Sequence, residues 1–263
     1  MSLLLAVALL LALSVPAFAA QDAQSESSTD TLKIAVMSDD HYLSPSMIRD
    51  TEDYQTALNS DRKMFAESDA ILRTLLDAVR QDKPDVLLLS GDLTKDGEQE
   101  CHKALAKQLQ QLQKEVPGMK IYVINGNHDI RNSDALNFNT PDGKAVPATR
   151  THPEDFKQIY DFVYSDPTVI ATYTPPAGKE AGGLSYVARP ADGFTLVVID
   201  TGRYSADNTS TGEDEHETSG AISADLEQWV IAQIQAAKAR GDVVLGMQHH
   251  GLVAHFDLEP TIL

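Results

Sequence analysis

Apolar residues form two kinds of pattern along the chain: short continuous runs, and longer stretches in which they repeat with helical spacing. The continuous runs occupy residues 32–37, 86–89, 121–124 and 243–247. Such runs are typical of strands that are buried on both faces of a sheet. Between the first three runs, residues 61–80 and 98–116 carry apolar side chains on one face, which predicts two helices. The order strand, helix, strand, helix, strand favours parallel strands joined by crossover helices.

The remaining segments have weaker patterns. Residues 42–60, 132–148 and 200–220 lack a clear period and predict loops. Residues 184–188 and 194–199 predict an antiparallel hairpin, which indicates a second sheet region. Thr151 and Glu154 predict a capping box for one further helix, and Ser223 predicts the cap of another.

Composition and charge exclude several classes of partner. The formal net charge is -18 and the isoelectric point is near 4.6. Such a chain repels nucleic acid and anionic membrane surfaces, so we expect neither as a partner. An anionic small molecule is compatible with this charge when bound cations reverse it locally. The single cysteine, Cys101, excludes a disulfide within the chain.

The first 31 residues differ from the rest. Residues 1–19 contain an apolar run, then Pro16 and small residues before a cleavage point, which predicts an export signal. The run is too short for a transmembrane helix, so no stable membrane span is expected. Residues 20–31 are polar and predict a linker, and residues 32–263 form the predicted domain. We therefore expect an exported protein, which is periplasmic, attached to the cell surface or secreted.

Side chains capable of metal binding and proton transfer follow four of the predicted strands. They are Asp39, Asp40 and His41, then Gly91 and Asp92, then Gly126, Asn127, His128 and Asp129, and finally His249 and His250. In open α/β sheets, ligands bind at the edge where the carboxyl ends of the strands meet. Carboxylate, amide and imidazole groups suit Mn, Fe or Zn, and the lack of nearby cysteine disfavours thiolate-preferring ions. Two such ions about 3.5–4 Å apart suit phosphoryl chemistry.

Individual roles follow from position in the chain. Asp39 and His41 lie two residues apart and can reach one ion together, which favours Asp39 over Asp40 as the ligand. Asp92 follows a glycine that permits a tight turn, and its two oxygens can bridge two ions. His128 follows a candidate ligand directly, so we expect it to contact substrate and give a proton to the leaving oxygen.

Two neighbouring groups complete this prediction. Asp129 is assigned to hold the ring of His128 in one tautomer, as carboxylates beside functional imidazoles often do. His102 lies within a predicted helix and is expected to be exposed.

The four blocks together resemble the calcineurin-like metallophosphoesterase superfamily, which includes purple acid phosphatases and class III cyclic-nucleotide phosphodiesterases. The matching blocks extend across nearly all of the chain after the export signal. The resemblance implies an α/β fold, a four-layer αββα sandwich of two mixed sheets flanked by helices. It also implies that Asp39, His41 and Asp92 bind one ion, and that Asp92, Asn127 and His249 bind the other.

The resemblance implies a two-metal phosphoesterase that hydrolyses phosphomonoesters or phosphodiesters through a metal-bound hydroxide. His249 is preferred to His250 as the ligand because it is the first histidine after its strand, and His250 is assigned to substrate contact. One block of the family, Gly-His-x-His, is absent from the sequence, which ends at Leu263. We therefore expect the chain to be incomplete at its C-terminus and the last strands of the second sheet to be missing.

Two alternatives stay open. One is a 5′-nucleotidase-like enzyme, although the nucleotidases of this family usually carry Glu where Asp129 stands. The other is a non-catalytic cell-surface binding module that retains the fold, which the absent Gly-His-x-His block favours.

Overall fold

The structure of the chain is a computed structural model that describes residues 31–208 and 218–253. Three predicted segments lie wholly or partly outside the described residues. They are the export signal at 1–19, nearly all of the linker at 20–31, and residues 209–217 of the predicted loop 200–220.

The first sheet contains three parallel strands in the order β1-β2-β3. They are β1 (Ile34–Met37), β2 (Val86–Leu89) and β3 (Lys120–Val123). Between β1 and β2 the chain forms helices α1 (Glu52–Ser60) and α2 (Ser68–Asp82), and α3 (Gln99–Glu115) connects β2 to β3. Met37, Leu89 and Val123 stand side by side in the register, so the three strands end at the same level. The turns that follow these strands therefore share one edge of the sheet.

Local sequence explains where these helices begin and end. The Thr51 hydroxyl accepts a hydrogen bond from the Tyr54 N–H and caps the start of α1. Lys83, with a left-handed φ of 46°, ends α2. Pro117 follows α3 and cannot continue it.

Two short helices and a small two-stranded sheet separate the two main sheets in the chain. Strand β4 (Leu136–Asn137) pairs antiparallel with β5 (Val146–Pro147). Helices α4 (Pro153–Ile159) and α5 (Asp161–Tyr164) follow.

The second main sheet contains four strands and is mixed. They are, in spatial order, β6 (Val169–Thr172), β7 (Tyr186–Ala191), β8 (Phe194–Val198) and β9 (Val243–Met247). Strand β7 runs antiparallel to both of its neighbours, β6 and β8. Strand β9 runs parallel to β8 and follows it after the crossover helix α6 (Ala224–Ala239). Of the helices in the described ranges, none has the length and apolar character needed to cross a membrane.

The two main sheets pack face to face over a shared core. Tyr186 of β7 belongs to the same buried cluster as Leu87 of β2, and its hydroxyl accepts a hydrogen bond of 3.1 Å from the Val123 N–H. The next residue, Val187, faces the opposite side and packs in a separate cluster with Leu226 of α6. Buried side chains of α2 and α3 join the first cluster, and β2 is buried on both faces. The predicted four-layer αββα sandwich is therefore confirmed.

Two of the loop predictions are wrong, because the structure has helices or strands in those segments. The predicted loop 42–60 contains a 3₁₀ turn at Pro45–Met47 and the whole of α1. The predicted loop 132–148 contains β4 and β5. Strand β6 was not predicted, because it is short and only half-buried and so has no clear apolar run.

The predicted capping box is shifted by one residue. The structure uses His152 and Asp155 instead of Thr151 and Glu154, and the Asp155 carboxylate accepts from the His152 N–H at 3.1 Å. Thr151 instead pairs through its backbone N–H with the Gly97 carbonyl. The predicted cap at the later helix is confirmed, because the Ser223 hydroxyl accepts a hydrogen bond from the third residue of α6.

Candidate metal centre

Three predicted ligands from both main sheets converge on one point. Asp39 follows β1, Asp92 follows β2 and His249 follows β9. One ligand atom from each of these side chains lies within 4.8 Å of the others. Packing of the two sheets therefore brings the carboxyl end of β9 against the carboxyl edge of the first sheet, where one cation can contact all three groups.

The other two predicted ligands lie beside this cluster. His41 Nε2 is 3.6 Å from Asp92 Oδ2, and His249 Nε2 is 3.4 Å from the same oxygen. Asn127 Oδ1 is 3.2 Å from His249 Nε2. The structure thus brings all five predicted metal ligands together around Asp92. Carboxylate, imidazole and amide donors in this combination fit Mn, Fe or Zn.

The orientation of His249 also fits a metal ligand. Its Nδ1 lies 3.0 Å from the backbone carbonyl of Ser90. A ring nitrogen that faces a carbonyl oxygen carries the hydrogen, so Nε2 presents its lone pair to Asp92 and Asn127 when the ring is neutral. This is the arrangement by which a backbone carbonyl fixes the tautomer of a metal-binding histidine.

Asp39 and Asp40 occupy different environments. Asp39 lies in the cluster, whereas the Oδ2 atom of Asp40 is buried and has no hydrogen-bond partner among the described residues. Burial, together with the charges of Asp39 and Asp129, raises the pKa of Asp40 to about 6. The structure therefore places Asp39 in the predicted ligand position.

The turns that carry the predicted ligands contain residues with unfavourable backbone angles and glycines at close contacts. Asp39, His41 and Asp92 have φ values of 58°, 39° and 50°, in the left-handed region that costs roughly 1–2 kcal/mol for such residues. A Cβ atom at Gly126 would lie 2.2 Å from Asp92 Oδ1, and one at Gly91 would lie 2.7 Å from the Gly126 nitrogen. Only glycine allows the turns after β2 and β3 to approach this closely.

Asp92 and His249 form a buried ion pair. Burial raises the pKa of Asp92, but the hydrogen bond and the positive charge of His249 outweigh burial and lower it to about 2. Burial lowers the pKa of His249, but the hydrogen bond and negative charge of Asp92 raise it to about 9. A metal cation competes with the imidazole proton for this position, so metal binding would release that proton.

Asp129 does not have the role that the sequence predicted. Among the described residues, its buried carboxylate accepts hydrogen bonds from the backbone N–H groups of Leu93, Thr94 and Gly126, at 3.1, 3.0 and 2.8 Å. These bonds join the turn after β2 to the turn after β3. Asp129 therefore holds the two ligand-bearing turns together instead of orienting the ring of His128.

Asp96 contacts the ring of His128 instead. Asp96 Oδ1 is 2.9 Å from His128 Nδ1, and Lys63 Nζ lies 3.0 Å from the same ring nitrogen. Burial raises the pKa of Asp96, but His128, Lys95 and Lys63 outweigh burial and hold it well below its usual range. Sequence reasoning missed both contacts. Asp96 lies four residues after Asp92 in an irregular turn, and Lys63 lies in the predicted helix 61–80, ahead of Ser68 where that helix begins in the structure.

The prediction that His102 is exposed is wrong. The side chain is fully buried beneath the turns, with Nε2 3.2 Å from Thr94 Oγ1 and Nδ1 3.0 Å from the Tyr160 hydroxyl. Its Nε2 atom also lies 3.5 Å from Asp129 Oδ1, and burial lowers the pKa of the imidazole. His102 is therefore part of the polar support of the candidate metal centre, which apolar periodicity does not reveal.

The candidate metal centre opens into a cavity of about 700 Å³. Four of the five predicted ligands and His128 line this cavity, and its lining also contains apolar side chains, those of Ala221, Ile222, Leu252 and Val253. His250 also lines the cavity, and its Nδ1 is 2.7 Å from Thr201 Oγ1. Its predicted contact with substrate remains a prediction that this location supports.

Comparisons with known proteins identify the family. A family model described as calcineurin-like phosphoesterase matches residues 32–261. The chain therefore belongs to the calcineurin-like phosphoesterase family. Among solved structures, the chain is similar to a dimetal phosphatase from Danio rerio, with 15% sequence identity and a TM-score of 0.51 over 83% of this chain and 69% of that chain. At this identity the likeness supports the fold alone, and no curated protein matches the chain.

Proposed function

We propose that the chain is an exported phosphoesterase that holds two metal ions and hydrolyses phosphomonoesters or phosphodiesters. The observation that carries the proposal is the meeting of five ligand side chains, from two sheets, around Asp92. Membership of the calcineurin-like phosphoesterase family supports the reaction class. The apolar run and cleavage pattern in residues 1–19 support export.

By the family resemblance the five predicted ligands divide into two overlapping sets, and Asp39 and His249, which belong to different sets, also lie close enough to contact one cation together with Asp92. Asp39, His41 and Asp92 would hold one ion, and Asp92, Asn127 and His249 would hold the other. Asp92 Oδ2 lies between the rings of His41 and His249, so one carboxylate can contribute to both sets. Bound cations there would neutralise the phosphate oxygens and activate a water molecule as the nucleophile.

His128 is the proposed proton donor to the leaving oxygen. Its backbone N–H donates to Asp92 Oδ1 at 2.8 Å, which fixes the residue beside the candidate metal centre. Nδ1 of the ring contacts Asp96 and Lys63, and the residue lines the cavity beside the predicted ligands. A proton donor in this position stabilises the leaving alkoxide.

The cavity supports an ester with an organic leaving group. The apolar side chains in its lining can contact an aryl group while the phosphate lies against the predicted ligands. His250 is anchored by Thr201 and by the Thr218 carbonyl, 3.1 Å from its Nε2, so its ring has a defined position beside the bound ester.

A second candidate function is a binding module that retains the fold without catalysis. Bound metal and turnover separate the two candidates.

The decisive assay uses purified protein loaded with Mn²⁺ and two substrates, p-nitrophenyl phosphate and bis(p-nitrophenyl) phosphate. We expect hydrolysis of at least one ester, and loss of that activity after treatment with EDTA. Hydrolysis of neither ester by folded, metal-loaded protein contradicts the enzyme proposal. Retention of full activity in EDTA contradicts the metal requirement.

Export is tested separately by expressing the complete chain and measuring the mass of the accumulated protein. We expect protein outside the cytoplasm that lacks residues 1–19. An intact N-terminus on protein that stays in the cytoplasm contradicts export and leaves the catalytic proposal unaffected.

A further inference from the structure

The cavity beside the candidate metal centre is lined without lysine or arginine. None of the described residues in its lining is of either type. All 21 lysines and arginines of the chain lie within residues 31–208 and 218–253, so the segments outside these ranges cannot add one. The charged residues of 209–217 and 254–263, apart from histidine, are all aspartate or glutamate. An anionic group away from the candidate metal centre therefore has no lysine or arginine to bind it.

Two cations contact residues of this lining without lining the cavity themselves. Arg203 Nη1 donates to Ser219 Oγ at 2.8 Å. Lys63 Nζ lies 3.0 Å from His128 Nδ1 and forms an ion pair of 2.9 Å with Asp96. Both cations are therefore held by protein groups, and neither is placed to contact a bound ester.

Four apolar side chains belong to the lining, those of Ala221, Ile222, Leu252 and Val253. Leu252 and Val253 are 72% and 74% exposed. Exposed apolar side chains grouped at a cavity commonly mark a ligand contact. Leu252 follows His249 by three residues, which limits the distance between their Cα atoms to about 11 Å. An organic group attached to a phosphate at the candidate metal centre can therefore reach these side chains.

The segment 218–222, which contributes part of the lining, has a defined position. The Ala221 N–H donates to the Thr201 carbonyl at 2.9 Å. A Cβ atom at Gly220 would lie 2.4 Å from the His250 ring, so only glycine allows the segment to pack this closely. This wall of the cavity is therefore formed before a substrate binds, and the substrate has to match it.

We infer that the substrate carries a single phosphoryl group on an uncharged, largely apolar organic group, which binds against Ile222, Leu252 and Val253. This inference rests on the proposed function, because it assigns the phosphoryl group to the candidate metal centre. An anionic leaving group would pass from water into a lining that offers it no lysine or arginine, and burying an unpaired charge is costly. Bisphosphates and nucleoside polyphosphates are therefore poor substrates.

The kinetic test compares two monoesters of similar size that differ in charge, 4-methylphenyl phosphate and 4-carboxyphenyl phosphate. With Mn²⁺-loaded wild-type protein, we expect kcat/KM to be at least about tenfold higher for the methyl compound. The carboxylate compound has the better leaving group, so chemistry alone favours the opposite order. Equal values of kcat/KM, or a preference for the carboxylate compound, overturn the inference.

A lysine introduced into the lining should weaken this preference. Leu252→Lys changes an exposed side chain, and we expect it to lower the ratio of the two kcat/KM values by roughly three- to fivefold, as a partly exposed ion pair allows. Val243→Lys is the matched control, because Val243 is 65% exposed and begins β9, whereas His249 follows the end of that strand. The control should keep the wild-type ratio. An equal fall in both variants would assign the preference to overall charge and overturn the inference.

Binding of two analogues that cannot be hydrolysed, 4-methylphenylphosphonate and 4-carboxyphenylphosphonate, tests the inference without turnover. We expect isothermal titration calorimetry with Mn²⁺-loaded protein to show about tenfold tighter binding of the methyl analogue. Equal binding, tighter binding of the carboxylate analogue, or no binding of either overturns the inference. Preferential binding of the methyl analogue by a protein that hydrolyses no ester contradicts the proposed function instead and supports the inference.

Discussion

The first and second main sheets contribute to the candidate metal centre in different ways. Four of the five predicted ligands, Asp39, His41, Asp92 and Asn127, follow strands of the first sheet, which are parallel and end at one level. The second sheet contributes only His249, after its last strand. Parallel strands joined by crossover helices bring their carboxyl ends together by connectivity. The fifth ligand depends instead on the packing of one sheet against the other.

The turns of the two sheets also differ in how tightly they are constrained. After β2 and β3, close backbone approach at Gly126 and the buried carboxylate of Asp129 hold two turns against each other. In the hairpin between β7 and β8, a Cβ atom at Gly193 would have nothing within 4 Å. The turns that carry the predicted ligands are therefore packed more closely than this hairpin, and the backbone strain found in them is common at functional sites.

The largest expected effect comes from removing the carboxylate that both ligand sets share. Asp92→Asn should lower kcat/KM by roughly 10³-fold or more, since a metal centre supplies several kcal/mol of transition-state stabilisation. Asp242→Asn is the matched control. Asp242 is a buried carboxylate that precedes β9, at the opposite end of the second sheet, where it accepts from Thr195 at 2.7 Å. Similar activity loss in the two variants would contradict the central position of Asp92.

A pair of glycine substitutions compares the two regions directly. Gly126→Ala should destabilise the protein by about 3 kcal/mol and abolish metal binding, because its Cβ would overlap Asp92. Gly193→Ala faces open space and has a φ of 74°, so it should cost only about 1–2 kcal/mol and leave metal binding intact. Chemical denaturation and metal titration measure both effects. Equal destabilisation by the two substitutions would show that the ligand-bearing turns are no tighter than the hairpin.

A carboxyl group is buried beside the candidate metal centre and another after β8 of the second sheet, and the two differ in how many hydrogen bonds they accept. Glu98, beside the candidate metal centre, accepts the Asp96 N–H through Oε2, but its Oε1 has no partner among the described residues. Asp200, after β8, accepts from the Tyr204 hydroxyl, the Asn125 amide and two backbone N–H groups. Burial raises the pKa of Glu98 to about 7, whereas its ordinary value is 4.5.

The folded protein therefore holds the Glu98 proton to higher pH than the unfolded chain does. Its contribution to stability is favourable at low pH and declines as pH rises from about 4.5 to 7. The unfolding free energy of Glu98→Gln relative to wild type should rise across that window by at most about 3 kcal/mol. Urea denaturation at pH 4.5, 6 and 8 measures it, in metal-free protein. A difference that does not vary with pH contradicts a raised pKa.

The smallest effect is expected at the end of β9, where two adjacent histidines have different assignments. His250→Ala should raise KM about tenfold with a smaller change in kcat, as expected for the loss of a ring that packs against bound substrate while Thr201 and Thr218 hold it in place. His249→Ala should reduce bound metal and lower kcat. Steady-state kinetics with metal analysis separates the two. Loss of metal in His250→Ala, with metal retained in His249→Ala, would reverse the assignment.

The first sheet could be predicted from the sequence because its signals are local. Continuous apolar runs mark β2 and β3, and the helical periods mark α2 and α3. The five predicted ligands follow from the strand ends together with the family resemblance. Strand β6 and helix α1 escaped prediction, because they are short or only partly buried and take their structure from tertiary contacts.

The side chains that surround the predicted ligands were harder to predict from the sequence than the ligands themselves. Asp129, Asp96 and His102 make contacts that the sequence did not predict, because their partners are set by the three-dimensional packing of turns. The buried side of α3 includes His102, a polar residue that apolar periodicity assigns to solvent. Lys63 lies 65 residues from His128 in the chain, and nothing local indicates the contact.

The most direct test of the account is the amount of metal bound per folded chain. Wild-type protein and Asp92→Asn would be loaded with Mn²⁺, dialysed and analysed by inductively coupled plasma mass spectrometry, with folding checked by circular dichroism. Two ligand sets that share Asp92 predict close to two ions per wild-type chain and fewer than one in the variant. Folded wild-type protein without bound metal, or equal metal content in the two proteins, would contradict a metal centre built around Asp92.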